Sequence, residues 1–350
     1  MKRSMLAILA LIFALAGLSA MDIREGTVRV KADPITGRII LYGLDMKSNA
    51  RYEALLFDTD ARTSFLTVSI DGRHARLGED QEFRPTVRRI DRGLEVEYRS
   101  SLYSVAQRVE FIRSSGSRIS DGFKISYILK NSSTRDSKMG LKQILDTRLG
   151  EKSGVHFISD LFDKSDEERI FGASDFPRFI ATPGETSTLA LLLQDIPRPD
   201  SVVLANWKRM ADASWAYASP MRGYSLMPYS VNDSALGLYW NDRIVKAGSQ
   251  VVLECYLIHG AGGVEFLRKL KEGQVKAEGF PAPAPSPAQK SSPGPIEAKA
   301  DFTLRIEEIK RLLESLDSAI SGIQSITDED VDALETILGE LEALSAQGGP

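Results

Sequence analysis

The chain has 350 residues, 43% of them hydrophobic and 26% charged. These are near the averages of a soluble globular protein, which excludes a wholly disordered chain, a collagen and a polytopic membrane protein. A net charge of −4 gives no global attraction to nucleic acid, and one cysteine, Cys255, excludes an intrachain disulfide, a zinc ribbon and an iron–sulfur cluster.

Lys2 and Arg3 open the chain, Met5 to Leu18 form an almost unbroken apolar run, and Ser19 and Ala20 are small. This is the layout of a signal peptide over 1–20. The apolar run is too short for the roughly 20 residues that span a bilayer. The expected product is exported, periplasmic or secreted, begins near Met21 and keeps no transmembrane segment. Without disulfides its stability must come from a sizeable core. Cys255 lies in the apolar run VVLECYLIHG and is expected to be a small buried hydrophobe.

From residue 21 to about 280 the pattern predicts one large antiparallel β-sandwich. Strands are expected at 27–32, 38–43, 64–70, 94–100, 102–112, 123–130, 141–145, 187–194, 201–206, 234–240 and 249–258. These runs are rich in β-branched and aromatic residues. Several alternate apolar and polar, as in Leu94-Glu95-Val96-Glu97-Tyr98, which puts one face in a core and the other in water. Asp71-Gly72 tolerates positive φ and predicts a tight hairpin. A helix is expected at 264–273, packed on the end of the sandwich. The six prolines of 281–295 then predict an extended linker.

Beyond it, 296–346 read as an acidic amphipathic helical hairpin or a broken coiled coil. Phe302, Ile306, Ile309, Leu313, Leu316, Ile320 and Ile323 recur at spacings of four and three, an a/d seam. Val331, Leu334, Leu338 and Leu341 continue the stripe after a break near Gly322 and Ser325-Ile326. From 296 onward there are 13 acidic and four basic residues, a net of −9. The stripe is the expected interface with a second copy or with another envelope protein.

No HExxH, GxSxG or phosphate-cradling loop occurs, and His74, His156 and His259 are not spaced as ligand pairs. No catalytic residue, metal or cofactor is expected. The aromatic concentration is at 207–240. Trp207, Trp215, Tyr217, Tyr224, Tyr229 and Trp240 lie there among Arg222, Asn232 and Asp233. Aromatic faces stack on sugar rings while the polar groups bond hydroxyls. The competing reading is that these rings hold a long loop against the sandwich edge. Arg84, Arg88, Arg89 and Arg92 form a basic run that suits an anionic surface or partner, not nucleic acid.

The segments 141–157 and 229–260 resemble a pattern in uncharacterised exported bacterial β-sandwich proteins, spirochaetal envelope proteins among them. There a strand enters an Asp-Thr-x-Leu-Gly turn, here Asp146, Thr147, Leu149 and Gly150, and an aromatic strand precedes a glycine turn, here Gly248. The architecture also looks like the large sandwiches related to galactose mutarotase, whose acid–base residues find no clear match here. The expectation is an exported, non-enzymatic protein that associates through its C-terminal helices. The alternative is a carbohydrate-binding or carbohydrate-modifying sandwich that uses 207–240.

Overall fold

Alternating sequence builds long strands here because each can bury one face and solvate the other. The structure is a computed structural model that describes residues 20–45, 50–218, 221–261 and 263–278. The expected signal peptide (apart from Ala20), the Pro-rich linker and the helical tail with its seam lie outside the described residues.

In chain order the strands are β1 (Met21–Glu25), β2 (Val28–Ala32), β3 (Ile39–Asp45), β4 (Arg51–Ala54), β5 (Phe65–Ile70) and β6 (Arg73–Arg76). They continue with β7 (Arg84–Ile90), β8 (Gly93–Arg99), β9 (Tyr103–Ile112), β10 (Gly122–Asn131), β11 (Ser137–Thr147) and β12 (Ile158–Ser159). The last six are β13 (Arg169–Phe171), β14 (Phe179–Pro183), β15 (Ser187–Leu192), β16 (Ser201–Asn206), β17 (Ser234–Val245) and β18 (Gln250–Ala261). Among the described residues two α-helices accompany them, α1 (Trp207–Asp212) and α2 (Val264–Lys271).

The strands make three antiparallel sheets. β1 to β4 form a meander in chain order. An eight-stranded sheet runs β12-β14-β15-β18-β10-β9-β8-β7, and a six-stranded sheet runs β13-β16-β17-β11-β5-β6. β17 and β18 are consecutive in the chain but belong to opposite large sheets, joined by a four-residue turn with Gly248 at φ 71°. The large sheets face each other over one main core. Tyr127 of β10 meets Trp240 of β17 with ring centroids 5.0 Å apart. Gln107 of β9 donates to Gln143 of β11 at 3.2 Å, so these two polar side chains are paired across the core. Each large apolar side chain buried there stabilises the fold by roughly 1.5–3 kcal/mol before the entropy of ordering is subtracted.

All the strands expected from sequence are present, as is the hairpin: Asp71 and Gly72 have φ of 50° and 80°, and Ile70 pairs with Arg73. The helix expected on the end of the sandwich lies elsewhere. α2 packs on the outer face of the eight-stranded sheet, where Phe266, Leu267 and Leu270 cover Phe179, Leu192, Tyr256 and Ile258. Gly260 permits this, because a Cβ there would lie 2.1 Å from the Phe266 ring. Helix α1 was not anticipated. It rests on the outer face of the six-stranded sheet over Phe65, Ile144, Val203 and Tyr239.

Candidate functional site

The aromatic segment separates into distinct environments. Trp240 is core. Tyr224 is buried against His156, with centroids 4.3 Å apart, and its hydroxyl donates to Ser165 Oγ at 3.1 Å. Trp207 and Tyr217 join the layer on the six-stranded sheet, where Trp207 Nε1 donates to the Thr63 carbonyl at 2.8 Å. Trp215 stacks on His74 at 4.9 Å. Arg222, Tyr229 and Asn232 are exposed in the 221–232 loop, and Asp233 is half-buried just before β17.

Two buried charged groups hold this segment down. Glu168 accepts from Arg209 Nε at 2.8 Å, from the Tyr217 hydroxyl at 2.8 Å and from the Asn206 backbone at 3.0 Å. Lys142 projects from the outer face of β11 and donates to the carbonyls of Ala213, Ser214 and Trp215 at 2.8–3.3 Å. Burial lowers its pKa to about 8.

At the end of β11 three carboxylates converge. Thr147 Oγ1 donates to the Ser234 carbonyl at 2.8 Å, which ties the end of β11 to the start of β17 and so sets Asp146 beside Asp233. Glu151, on the turn that follows, accepts from the Ser234 backbone at 3.3 Å. Oxygens of Asp146, Glu151 and Asp233 all lie within 4.8 Å of one another. Burial raises their pKa values to about 7, 8 and 6, and mutual repulsion adds to the rise at Asp146 and Glu151. Near neutral pH the cluster therefore retains protons and can donate hydrogen bonds as well as accept them. Its all-oxygen donor set suits a hard cation, to which three carboxylates offer between three and six of the six to eight oxygens calcium takes. Asp233 alone was a candidate from sequence.

One concavity among the described residues is a cleft of about 460 Å³. One wall is the β3–β4 hairpin with Tyr42, Tyr52 and Glu53; the others are Asp58, the 148–153 turn and the β14–β15 turn. Arg148 pairs with Asp58 at 3.1 Å, and Lys152 and Glu185 face the same space. Four lining carboxylates (Asp45, Glu53, Asp58 and Glu185) outnumber the two cations, Arg148 and Lys152. Behind the wall His259 sits with Nε2 3.3 Å from Ser187 Oγ and Nδ1 3.5 Å from Thr27 Oγ1. Burial lowers its pKa to about 4, with Asp45 pulling the other way, so the ring is neutral at physiological pH. Gly43 admits this ring, since a Cβ would lie 2.3 Å from it. None of the residues picked out at 207–240 lines the cleft. Its residues come from separate connections, and the one local signal was the Asp-Thr-x-Leu-Gly turn.

Cys255 is fully buried, and burial pushes its thiol up to about 12, which leaves it unreactive. No helix among the described residues is long and apolar enough to cross a membrane.

No family model and no curated protein matches the chain. Among solved structures it is similar to galactose mutarotase-like sandwich proteins at low identity. One, from Lactobacillus casei, is 9% identical with a TM-score of 0.40, covering 69% of this chain and 100% of that one. Another, from Lactobacillus acidophilus, is 8% identical with a TM-score of 0.43, covering 70% and 99%. A polysaccharide lyase is 17% identical with a TM-score of 0.40 over 71% of this chain, and the match spans only 34% of the lyase.

Proposed function

We propose that the chain is an exported binding protein whose sandwich recognises a neutral carbohydrate in the cleft beside Tyr42, Asp58 and Arg148. The observation that supports this is the cleft's chemistry. Sugar hydroxyls are bound by planar groups that accept or donate in pairs, and the ring's apolar face is bound by an aromatic side chain. The cleft supplies carboxylates, a guanidinium and two tyrosines within a volume suited to a small ligand. Its surplus of carboxylates disfavours a polyanionic glycan.

The test is calorimetric titration of the full chain with neutral mono- and oligosaccharides. Asp58→Ala and Arg148→Ala should each weaken binding by about tenfold or more, the equivalent of one charged hydrogen bond. Trp215→Ala should leave it unchanged. Loss with Trp215→Ala and not with Asp58→Ala would move the site to the aromatic loop. No binding across the panel would remove the carbohydrate reading.

A second reading is compatible with the first and rests on sequence alone. The seam from Phe302 to Ile323, continued by Val331 to Leu341, mediates association with a second copy or an envelope protein. Burying such a stripe offsets the cost of association. Full-length protein should therefore exceed the monomer mass by light scattering, and Leu313→Asp with Leu316→Asp should return it to monomer. Equal monomeric masses for the two would dispose of self-association.

A further inference from the structure

A second concavity, independent of the carbohydrate cleft, lies where the β1–β2 turn, the β7–β8 turn and the β9–β10 connection meet. It encloses about 440 Å³ and is lined by Arg92, Arg113 and Arg118, with Glu25 as its one carboxylate. Its walls are firm. The Thr27 backbone donates to the Ser120 carbonyl at 2.8 Å, and Gly26, at φ 59°, brings backbone against backbone: a Cβ there would lie 2.1 Å from the Ser120 oxygen.

The charge in this depression is not balanced. Arg92 Nη2 donates to Glu25 Oε1 at 2.8 Å and to Ser120 Oγ at 3.1 Å, and these two groups leave its remaining donors available. Arg113 faces Glu278 at 3.7 Å, too far for a hydrogen bond. Arg118 makes no hydrogen bond or ion pair with any described residue. Glu25 and Glu278 offset two of the three arginines, so one positive charge is in surplus, and a depression about 10 Å across, close to the Debye length, lets all three guanidiniums act on one anion. An oxyanion placed among them neutralises the surplus and takes the free guanidinium forks. Ile119 on the rim is 53% exposed and offers apolar surface to whatever carries the anion.

We propose that this arginine depression binds a phosphate or sulfate monoester. A tetrahedral oxyanion presents three oxygens and suits three arginines arriving from two connections better than a planar carboxylate does. The group can belong to a small soluble ester or to a lipid headgroup, and the experiment separates the two.

Full-length protein is titrated at low ionic strength with glycerol phosphate, which lacks a sugar ring and so does not report on the carbohydrate cleft. It is also sedimented with phosphatidylcholine vesicles with and without phosphatidic acid. Arg118→Gln removes an exposed side chain with no partner among the described residues, so the fold survives it. Arg73→Gln, an exposed arginine on the other large sheet, is the control. Wild type should bind with a dissociation constant below about 1 mM. Arg118→Gln should weaken this about tenfold, while Arg73→Gln should leave it unchanged. Vesicle binding that needs phosphatidic acid and is lost in Arg118→Gln assigns the headgroup; binding of glycerol phosphate alone assigns a soluble ester. Equal effects of the two substitutions, as general charge screening produces, or no binding of either probe would overturn the proposal.

Discussion

At Glu168 a carboxylate without solvent contact answers three donors from three parts of the chain: Arg209 on α1, Tyr217 beyond it and the Asn206 backbone. Its side chain is 0% exposed and that of Arg209 13%, so water cannot replace either partner. Removing one member leaves a buried charge unmatched, which costs more than the pair contributes. Glu168→Ala should therefore lower the unfolding free energy by about 3–5 kcal/mol in urea melts, whereas Tyr217→Phe should cost only about 1 kcal/mol. Comparable losses for both would mean that the carboxylate is not the anchor. Gly43 is a second single-residue test. Gly43→Ala drives a methyl group into the His259 ring and should cost about 1–3 kcal/mol. At Gly72 the same methyl meets nothing within 4 Å, so Gly72→Ala there carries only the strain of positive φ, about 1 kcal/mol.

Among the elements, α1 shows how a short helix is specified without an amphipathic stripe. Asn206 is its N-cap and accepts from the Arg209 backbone at 3.1 Å. The same amide donates to the Tyr224 carbonyl, Ser230 Oγ and the Asp233 carbonyl at 2.8–3.1 Å. Asn206→Ala thus removes a cap worth about 1 kcal/mol and also the bonds that hold the following loop. The expected signature is faster amide exchange across 221–233, with the core strands unaffected; uniform acceleration would refute this local role. The helix was illegible in sequence because six residues show no period. β7 was missed because RPTVRRI is an exposed edge strand, its arginines answered by partners such as Glu95, reached by Arg88 across the β7–β8 ladder. The core strands were legible because period-two alternation depends only on which face is wet. The carboxylate cluster was not, since 82 residues separate Glu151 from Asp233 and only the pairing of β11 with β17 closes that distance.

For the whole molecule, two sets of buried groups pull stability in opposite directions with pH. Asp146, Glu151 and Asp233 have folded pKa values of about 7, 8 and 6, above their ordinary range. Their contribution is full below about pH 4 and is lost as pH rises through those values. Burial lowers the pKa values of His156 and His259 to about 4, so their contribution is full above about pH 6.5 and is lost on acidification. The two trends partly cancel between pH 4.5 and 6.5. Above that window the acids dominate until Lys142 begins to lose its proton near pH 8, which acts in the opposite direction, so the melting temperature should fall from about pH 6.5 to 7.5. Glu151→Gln should flatten the decline, and a wild-type profile that rises or stays level over this range would contradict the assignment. The layer outside the six-stranded sheet has a consequence of its own. Lys142, which pins that layer, is 1% exposed and sheds its proton near pH 8. It is thus an amine with a larger neutral, acylatable fraction than an ordinary lysine and among the worst placed to meet the reagent. Under brief treatment with an anhydride, surface lysines would be labelled within the mixing time, and this one only as often as residues 213–215 lift away. Its labelling rate would then time the lifting of that layer without any engineered probe.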